Sequence, residues 1–196
     1  MTNYSLRIVV ADDEPEMRDY LQETLTSMQH QVVGAAESGR QLVELCRTEN
    51  PDLVITDIKM PDMDGIEAAT EIRKVRAVPV ILVSAYHDAA LIERALADHV
   101  LAYLVKPIKQ ADLETAIALA MRRFREFQAL HQQAADLRQA LEDRKIVERA
   151  KGVLMKRAGL DEQDAFRRLQ KLASDKNLKM VRVAEMIVTA EEAMGS

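Results

Sequence analysis

Short runs of apolar and β-branched residues alternate with amphipathic stretches along the first 110 residues. The apolar runs are LRIVVA, QVVGAA, DLVITDI, VPVILVSA and LAYLVKP. Helical periods separate them, at Glu16–Met28, Gly39–Arg47, Gly65–Lys74 and Ala89–Ala97. Several of the predicted strands are apolar on both faces, as strands are in a parallel sheet that helices cover on both sides. The pattern predicts an α/β fold with a doubly wound parallel sheet of five strands, and the flavodoxin-like order 2-1-3-4-5 is favoured.

The pattern becomes continuously helical after Pro107. From about Ala111 to Ala158 there is no proline and one glycine, Gly152, which predicts one long helix or two helices in line. Gly159 is suited to end this helix, and Asp161 is suited to cap the next one. A last helical period follows DKNLK. We therefore expect a long helix and then a small all-α domain of three helices.

Apolar residues within the long predicted helix recur at alternating steps of three and four. These residues are Phe127, Leu130, Ala134, Leu137 and Leu141. Such spacing is typical of a coiled-coil seam, here about two heptads long. Two interpretations stay open at this point. Either a second helix covers the stripe in a coiled coil, or the stripe packs on the C-terminal helices of its own chain.

The changes of pattern predict three parts in the chain. Residues 5–120 form the α/β domain, residues 121–143 a helical linker and candidate coiled coil, and residues 144–194 the three-helix domain. The longest apolar runs are far too short to cross a membrane, and no secretory signal is visible. The single cysteine, Cys46, has no partner for an internal disulfide. We expect a cytoplasmic protein with no membrane association.

Charge is distributed unevenly along the chain, whose net charge is −5. Residues 1–120 hold 20 acidic and 11 basic side chains, whereas residues 121–196 hold 12 acidic and 16 basic ones. Within Arg144–Arg182 there are 12 bases and 5 acids. An acidic first half and a basic second half suggest two separate tasks, with a polyanion as the candidate partner of the basic half.

Polar side chains follow the predicted strands of the first domain, where the strands end. They are Asp12 and Asp13 after strand one, Asp57 at the end of strand three, Ser84 at the end of strand four, and Tyr103 and Lys106 around strand five, where Pro107 follows Lys106. A single aspartate at a strand end is usually a turn or cap residue. Several such residues from neighbouring strands meet at one edge of a parallel sheet. Clustered carboxylates suit Mg²⁺, and a lysine and a hydroxyl beside them suit a phosphoryl group.

The segments VVADDE, LVITDIKMPDMDG, VSA and AYLVKP resemble the receiver domain of bacterial two-component response regulators, over about residues 5–120. The resemblance implies that Asp57 accepts a phosphoryl group from a cognate sensor histidine kinase. It implies that Asp12, Asp13, Asp57 and the backbone carbonyl of Lys59 bind Mg²⁺. Such a protein is not a metabolic enzyme, although it can hydrolyse its own aspartyl phosphate.

The resemblance also implies how the domain would respond to phosphorylation. Lys106 would contact the phosphoryl oxygens, and the bond before Pro107 would be cis. Ser84 would move toward the phosphoryl group, and Tyr103 would turn inward with it. The last helix of the domain leads into the heptad stripe. We therefore expect phosphorylation to promote a homodimer.

Basic residues line one face of the predicted helix that ends at Ala158. Lys145, Arg149, Gly152 and Lys156 are spaced i, i+4, i+7 and i+11, so they share that face. Further candidate contacts to a polyanion are Lys151, Arg157, Arg168 and Lys171. Basic side chains on a helix are often merely solvated. Gly152 costs helix stability, so it indicates close approach either of a nucleic acid or of another helix.

The segment RKIVERAKGVLMKRAGLDEQDAFRRLQKLA, with LKMVRVAEMI after it, resembles the ANTAR domain of transcription antitermination regulators, over about residues 135–192. The resemblance implies dimers that bind paired hairpins in nascent leader RNA and prevent a terminator from forming. Phe166 is expected in the core of this domain, in preference to the alternative that it stacks on an RNA base. We therefore predict a phosphorylation-controlled RNA-binding antiterminator. The alternative is a basic tail that binds DNA or a protein, although no recognition helix is expected after Met186.

Overall fold

The structure is a computed structural model that describes residues 5–85 and 101–194. The predicted helix at Ala89–Ala97 lies outside these residues. The chain divides into two compact units, Met1–Gln128 and Ala129–Ser196. The predicted domain boundaries at residues 120 and 143 remain predictions. None of the described helices combines the length and the apolar character that a membrane span requires.

Strands and helices alternate along the first unit, as the sequence predicts. Its elements are β1 (Arg7–Ala11), α1 (Pro15–Ser27), β2 (Gln31–Ala36), α2 (Gly39–Glu49), β3 (Leu53–Asp57), α3 (Gly65–Val75), β4 (Val80–Ser84) and β5 (Ala102–Val105). The five strands form one parallel sheet in the order β2-β1-β3-β4-β5, which confirms the predicted fold. Helix α4 (Gln110–Ala158) begins in this unit and ends in the second one.

Apolar side chains on both faces of the sheet explain why helices cover it twice. Along β1, Ile8 and Val10 face the cluster that also contains Leu21 of α1 and Leu113 of α4. Val9 faces the opposite cluster, which includes residues of α2 and α3. Successive side chains of a strand point to opposite faces, so a strand that is apolar throughout needs cover on each side. This double cover leaves the carboxyl edge of the sheet as the place for polar chemistry.

Gly65 fixes the path of the chain just after β3. A Cβ atom at this position would collide with the backbone carbonyl oxygen of Asp57. The amide of Gly65 donates a hydrogen bond of 2.8 Å to the carbonyl of Ile58. Helix α3 begins directly afterwards, with a capping box in which Asp64 and Glu67 accept from each other's backbone amides. The loop that follows Asp57 is therefore tightly closed.

Three helices form the core of the second unit: the end of α4, α5 (Glu162–Lys176) and α6 (Met180–Met194). Its buried apolar residues are Ala150 of α4, Ala165 and Leu169 of α5, and Val183, Ala184 and Val188 of α6. Gly159 ends α4 with a φ of +63°, and the Asp161 side chain accepts from the amide of Asp164 at 2.7 Å. Both helix boundaries agree with the sequence prediction.

The heptad stripe on α4 is exposed. Leu130, Leu137 and Leu141 have relative exposures of 65%, 64% and 52%. They do not pack on α5 and α6, so the interpretation in which the C-terminal helices cover the stripe is wrong. The core of the second unit uses a different face of α4, centred on Ala150.

The fold generates a stability prediction at two glycines. Gly65→Ala should destabilise the first unit by about 1–3 kcal/mol or more, because the added methyl group meets backbone and not a mobile side chain. Gly152→Ala is the matched control, since nothing lies within 4 Å of its Cβ position. That change should stabilise its helix by roughly 0.5–1 kcal/mol. Urea unfolding of both variants measures the difference, and an unchanged midpoint for Gly65→Ala would contradict the packing described above.

Candidate functional site

The carboxyl ends of β1, β3, β4 and β5 bring the predicted polar residues to one edge of the sheet. Ala11 pairs with Thr56 across β1 and β3, so Asp12 and Asp57 follow at the same level. The amide of Lys106 donates to the carbonyl of Ser84 at 2.9 Å, which joins the ends of β4 and β5. Asp12, Asp57 and Ser84 are all buried. The convergence predicted from strand order is confirmed for Asp12, Asp57, Ser84 and Lys106.

Lys106 is the centre of this cluster. Its Nζ lies 2.9 Å from Oδ2 of Asp12, 3.1 Å from Oδ1 of Asp57 and 3.3 Å from Oε1 of Glu14. The peptide bond between Lys106 and Pro107 is cis, as expected. One ammonium group thus faces three carboxylates, and most of its side chain is buried. The site carries more negative than positive charge.

The pKa values of the two central groups follow from this crowding. Burial raises the pKa of the Asp57 carboxyl, although hydrogen bonds from Lys106 and from the amide of Lys59 oppose the shift. Burial alone would lower the pKa of Lys106, but its contacts with Asp12 and Asp57 outweigh burial and raise it. Lys106 is therefore firmly protonated. A second positive charge at the site would reduce the electrostatic repulsion between the carboxylates.

A divalent cation fits the acidic side of the cluster. Carboxylate oxygens of Asp12, Asp13 and Glu14 lie within 4.8 Å of one another. Oδ2 of Asp12 is buried and, apart from its ion pair with Lys106, has no hydrogen-bond partner among the described residues. Hard oxygen donors of this kind are the ligands that Mg²⁺ prefers. Receiver domains generally bind Mg²⁺ at such a pocket, and the donor set of this chain is consistent with it.

Several residues of the site were missed at the level of sequence. Arg18 of α1 donates from Nη1 to the carbonyls of Asp12 at 2.7 Å and Asp13 at 3.1 Å, and so holds the acidic loop. The Thr56 hydroxyl donates to the carbonyl of Asp57 at 2.9 Å. Glu14 follows directly after the two aspartates, and this run of three acidic residues could have identified it as part of the site. Arg18 belongs to no recognisable sequence motif. It reaches the carbonyls of Asp12 and Asp13 only because α1 begins directly after this loop.

Ser84 and Tyr103 lie where the strand assignment predicts. Ser84 ends β4, and Tyr103 is half-buried on β5 opposite Leu82, packed against the cluster beneath α2 and α3. Residues 86–100 lie between them and outside the described part of the chain. The expected movement of both side chains on phosphorylation stays a prediction.

A second candidate site is the basic surface of the second unit, which comprises Lys145, Arg149, Gly152 and Lys156 on α4. All four are exposed. A Cβ added at Gly152 would meet no atom within 4 Å, so no other helix crosses there in the described structure. Of the two explanations for Gly152, close crossing by a described helix of the same chain is wrong, and open access to a partner is compatible with the structure.

Lys151 lies apart from this surface and is only 7% exposed. Its Nζ contacts Glu148 at 2.8 Å and Glu162 at 2.7 Å, and hydrogen bonds to these two carboxylates raise its pKa. Because Glu162 begins α5, the ion pair joins α4 to α5. This placement corrects the prediction that Lys151 contacts a polyanion, and it favours a structural role.

The other predicted cations differ in their partners. Arg149 pairs with Glu192, Arg157 with Glu191 and Lys145 with Glu142. Across residues 5–85 and 101–194, no carboxylate pairs with Lys156, Arg168 or Lys171, which are all exposed. These three are the cations most available to an external anion.

Phe166 corrects a second expectation. It is 36% exposed, and the buried positions of α5 belong to Ala165 and Leu169 instead. Residue 166 follows Ala165 by about 100° around the helix axis, which places it at the flank of the apolar face. The rotation of α5 about its own axis, relative to α4 and α6, determines whether Phe166 is buried. This rotation cannot be inferred from the sequence.

The placement of Lys151 leads to a stability prediction. Lys151→Met should lower the melting temperature, because it leaves two carboxylates facing each other without their shared cation. Lys171→Met is the matched control, because Lys171 is exposed and has no carboxylate partner in the described structure. Thermal unfolding followed by circular dichroism compares the two variants. Equal melting temperatures would mean that the Lys151 ion pairs do not stabilise the unit.

Comparison with known proteins agrees with this two-part organisation. The family described as response regulator receiver domain matches residues 8–118, and the ANTAR domain family matches residues 135–188. The transcriptional regulatory protein PdtaR of Mycobacterium tuberculosis is 45% identical over 182 residues, which cover 93% of this chain and 89% of PdtaR.

Solved structures resemble the first unit. The signal receiver domain of the putative response regulator NarL of Mycobacterium tuberculosis is 30% identical with a TM-score of 0.57, and the match covers 60% of this chain and 97% of that one. A chain of the complex of CheX, CheY, BeF3 and Mg²⁺ from Borrelia burgdorferi is 26% identical with a TM-score of 0.54, over 57% of this chain and 85% of that one. The chain therefore belongs to the response regulator family and combines an N-terminal receiver domain with a C-terminal ANTAR domain.

Proposed function

We propose that this protein is a cytoplasmic, phosphorylation-controlled response regulator that binds hairpins in nascent RNA and causes transcription antitermination. The observation that carries the proposal is the presence, in one chain, of a buried aspartate beside Lys106 and an ANTAR domain with exposed cations. The relative PdtaR is named a transcriptional regulatory protein, which supports a role in transcription.

Asp57 is the proposed acceptor of a phosphoryl group from the histidine kinase. A carboxylate oxygen of Asp57 forms the new bond to phosphorus while the nitrogen–phosphorus bond of the kinase phosphohistidine breaks, and the imidazole takes up a proton. Lys106 lies close enough to Asp57 to neutralise charge that develops on the phosphoryl oxygens. Asp12, Asp13, Asp57 and the Lys59 carbonyl would hold Mg²⁺, which shields phosphoryl charge when it is bound.

Phosphorylation would change the surface of the receiver domain through charge. The phosphoryl group adds negative charge next to Lys106, and Lys106 would then be shared among more anionic oxygens. Ser84 would donate a hydrogen bond to the new group, and Tyr103 would turn inward. The chain acts as a switch in this scheme and not as a metabolic enzyme, with hydrolysis of its own aspartyl phosphate resetting it.

A homodimer is the proposed output of the switch. The exposed heptad stripe supports it, because Leu130, Leu137 and Leu141 form an apolar line that a second copy of α4 would cover. Dimerisation would bring two basic surfaces together. Two linked surfaces that bind two hairpins gain avidity without any new contact.

The alternative partner of the basic surface is DNA or a protein. RNA is favoured because the surface belongs to a compact helical ANTAR domain. Unpaired bases in RNA loops are open to such a surface, whereas duplex DNA is usually read by an element inserted into the major groove.

Asp57→Asn should abolish labelling by radioactive acetyl phosphate in the presence of Mg²⁺, because the amide is not a nucleophile of comparable strength. Chelation of Mg²⁺ should suppress labelling of the wild type. Asp62→Asn is the matched control, since Asp62 is exposed in the next loop and has a φ of +68° that asparagine tolerates. Persistent labelling of Asp57→Asn would place the acceptor at another residue.

The 196-residue chain should bind a pool of RNA hairpins with a fixed stem and a randomised loop more tightly than duplex DNA of the same stem sequence. Lys156→Gln should weaken this binding, because it removes an exposed cation without a carboxylate partner, and the slope of log affinity against log salt should become shallower by up to about 0.7–0.9. Nitrocellulose filter binding over a range of salt concentrations makes the measurement. Tighter binding to the duplex DNA, or no binding to either, would overturn RNA as the partner.

A further inference from the structure

Two neighbouring glutamates of α6 hold two arginines of α4 in different ways. Arg157 uses Nε, which donates to both carboxylate oxygens of Glu191, at 2.8 and 3.1 Å. Arg149 uses its terminal nitrogen Nη2, which donates to Oε1 of Glu192 at 2.8 Å. Glu191 and Glu192 are adjacent in sequence, yet they engage opposite ends of a guanidinium group.

The guanidinium nitrogens that bind the glutamate determine which N–H donors remain free to bind another anion. The two terminal nitrogens of Arg157 make no hydrogen bond within the described part of the chain. They form the fork that binds a phosphate group through two parallel hydrogen bonds. At Arg149 the terminal nitrogen already donates to a carboxylate, so a phosphate must share or displace Glu192.

The two glutamates also differ in burial, and this difference agrees with the difference in their hydrogen bonds. The Glu191 side chain is 23% exposed, whereas the Glu192 side chain is 62% exposed. A half-buried carboxylate loses little rotamer freedom when it orients a neighbour, and solvent screens it less than an exposed one. An exposed ion pair such as Arg149–Glu192 is weak and exchanges easily with an external anion.

We propose that Glu191 is a positioning residue that aims the free fork of Arg157 at an RNA phosphate, and that Glu192 competes with RNA phosphate for Arg149. This inference rests on the proposed RNA-binding function and deepens it. It assigns opposite effects to two adjacent carboxylates with the same formal charge. RNA would bind with Arg157 still held by Glu191, and with Arg149 released from Glu192.

The test is to compare Glu191→Gln and Glu192→Gln in the whole 196-residue chain, by filter binding to the hairpin RNA pool. Each substitution removes one negative charge and keeps the shape of the side chain. Glu185→Gln is the control for charge alone, because Glu185 lies on the same helix and pairs with Arg182 instead. Relative to that control, Glu192→Gln should tighten binding by about two- to fivefold, and Glu191→Gln should weaken it by about two- to fivefold.

A second measurement separates positioning from a general loss of structure. Nitrogen-15 NMR of the arginine side chains should show that the Nε–H of Arg157 exchanges with water more slowly than that of Arg149. Glu191→Gln should remove this protection while the melting temperature stays close to that of the control. Without RNA, this measurement reports only the contact between Arg157 and Glu191.

Three outcomes are distinct. The expected one is opposite shifts of RNA affinity in the two variants, together with loss of Nε–H protection in Glu191→Gln. Equal shifts in all three variants, with wild-type binding to RNA intact, would overturn this inference alone. No binding of the wild type to the RNA pool would overturn the proposed function, and this inference with it, even if the Nε–H of Arg157 is protected.

Discussion

The receiver domain depends on one buried ammonium group that lies among carboxylates. Lys106 contacts Asp12 and Asp57 within about 3 Å, and the fold brings these groups together because each follows the end of a parallel strand. Gly65 is required for the same reason, since its missing side chain lets the chain close tightly over the carbonyl of Asp57. The excess of negative charge makes the site responsive to any change of charge, whether from a cation or from a phosphoryl group.

Ion pairs within the ANTAR domain also determine which of its cationic side chains are available to bind an external anion. Lys151 is buried between two glutamates and joins helices, whereas Lys156 is exposed and has no carboxylate partner in the described structure. Arg149 and Arg157 lie between these extremes, because glutamates of α6 hold them at the surface. A basic segment is therefore a set of side chains with different tasks, and charge density alone does not identify the contacts.

Strand order, sheet edge and helix caps were predictable from the sequence, and tertiary placement was not. The five strands are apolar on both faces, and Gly159 and Asp161 have local backbone roles that neighbouring residues determine. Lys151 and Phe166 were placed wrongly, because their burial depends on which side chains of α4 and α5 meet when the helices pack. Arg18 was missed for a similar reason, since it acts on a loop in front of its own helix.

Coupling between the two domains is the central claim, and the affinity for RNA with and without phosphorylation measures it most directly. The wild type and Asp57→Asn would each be titrated against the hairpin RNA pool, with acetyl phosphate and Mg²⁺ present or absent. We predict that acetyl phosphate raises the affinity of the wild type and leaves that of Asp57→Asn unchanged. An equal affinity of the wild type under both conditions, with Asp57 shown to be phosphorylated, would contradict the account.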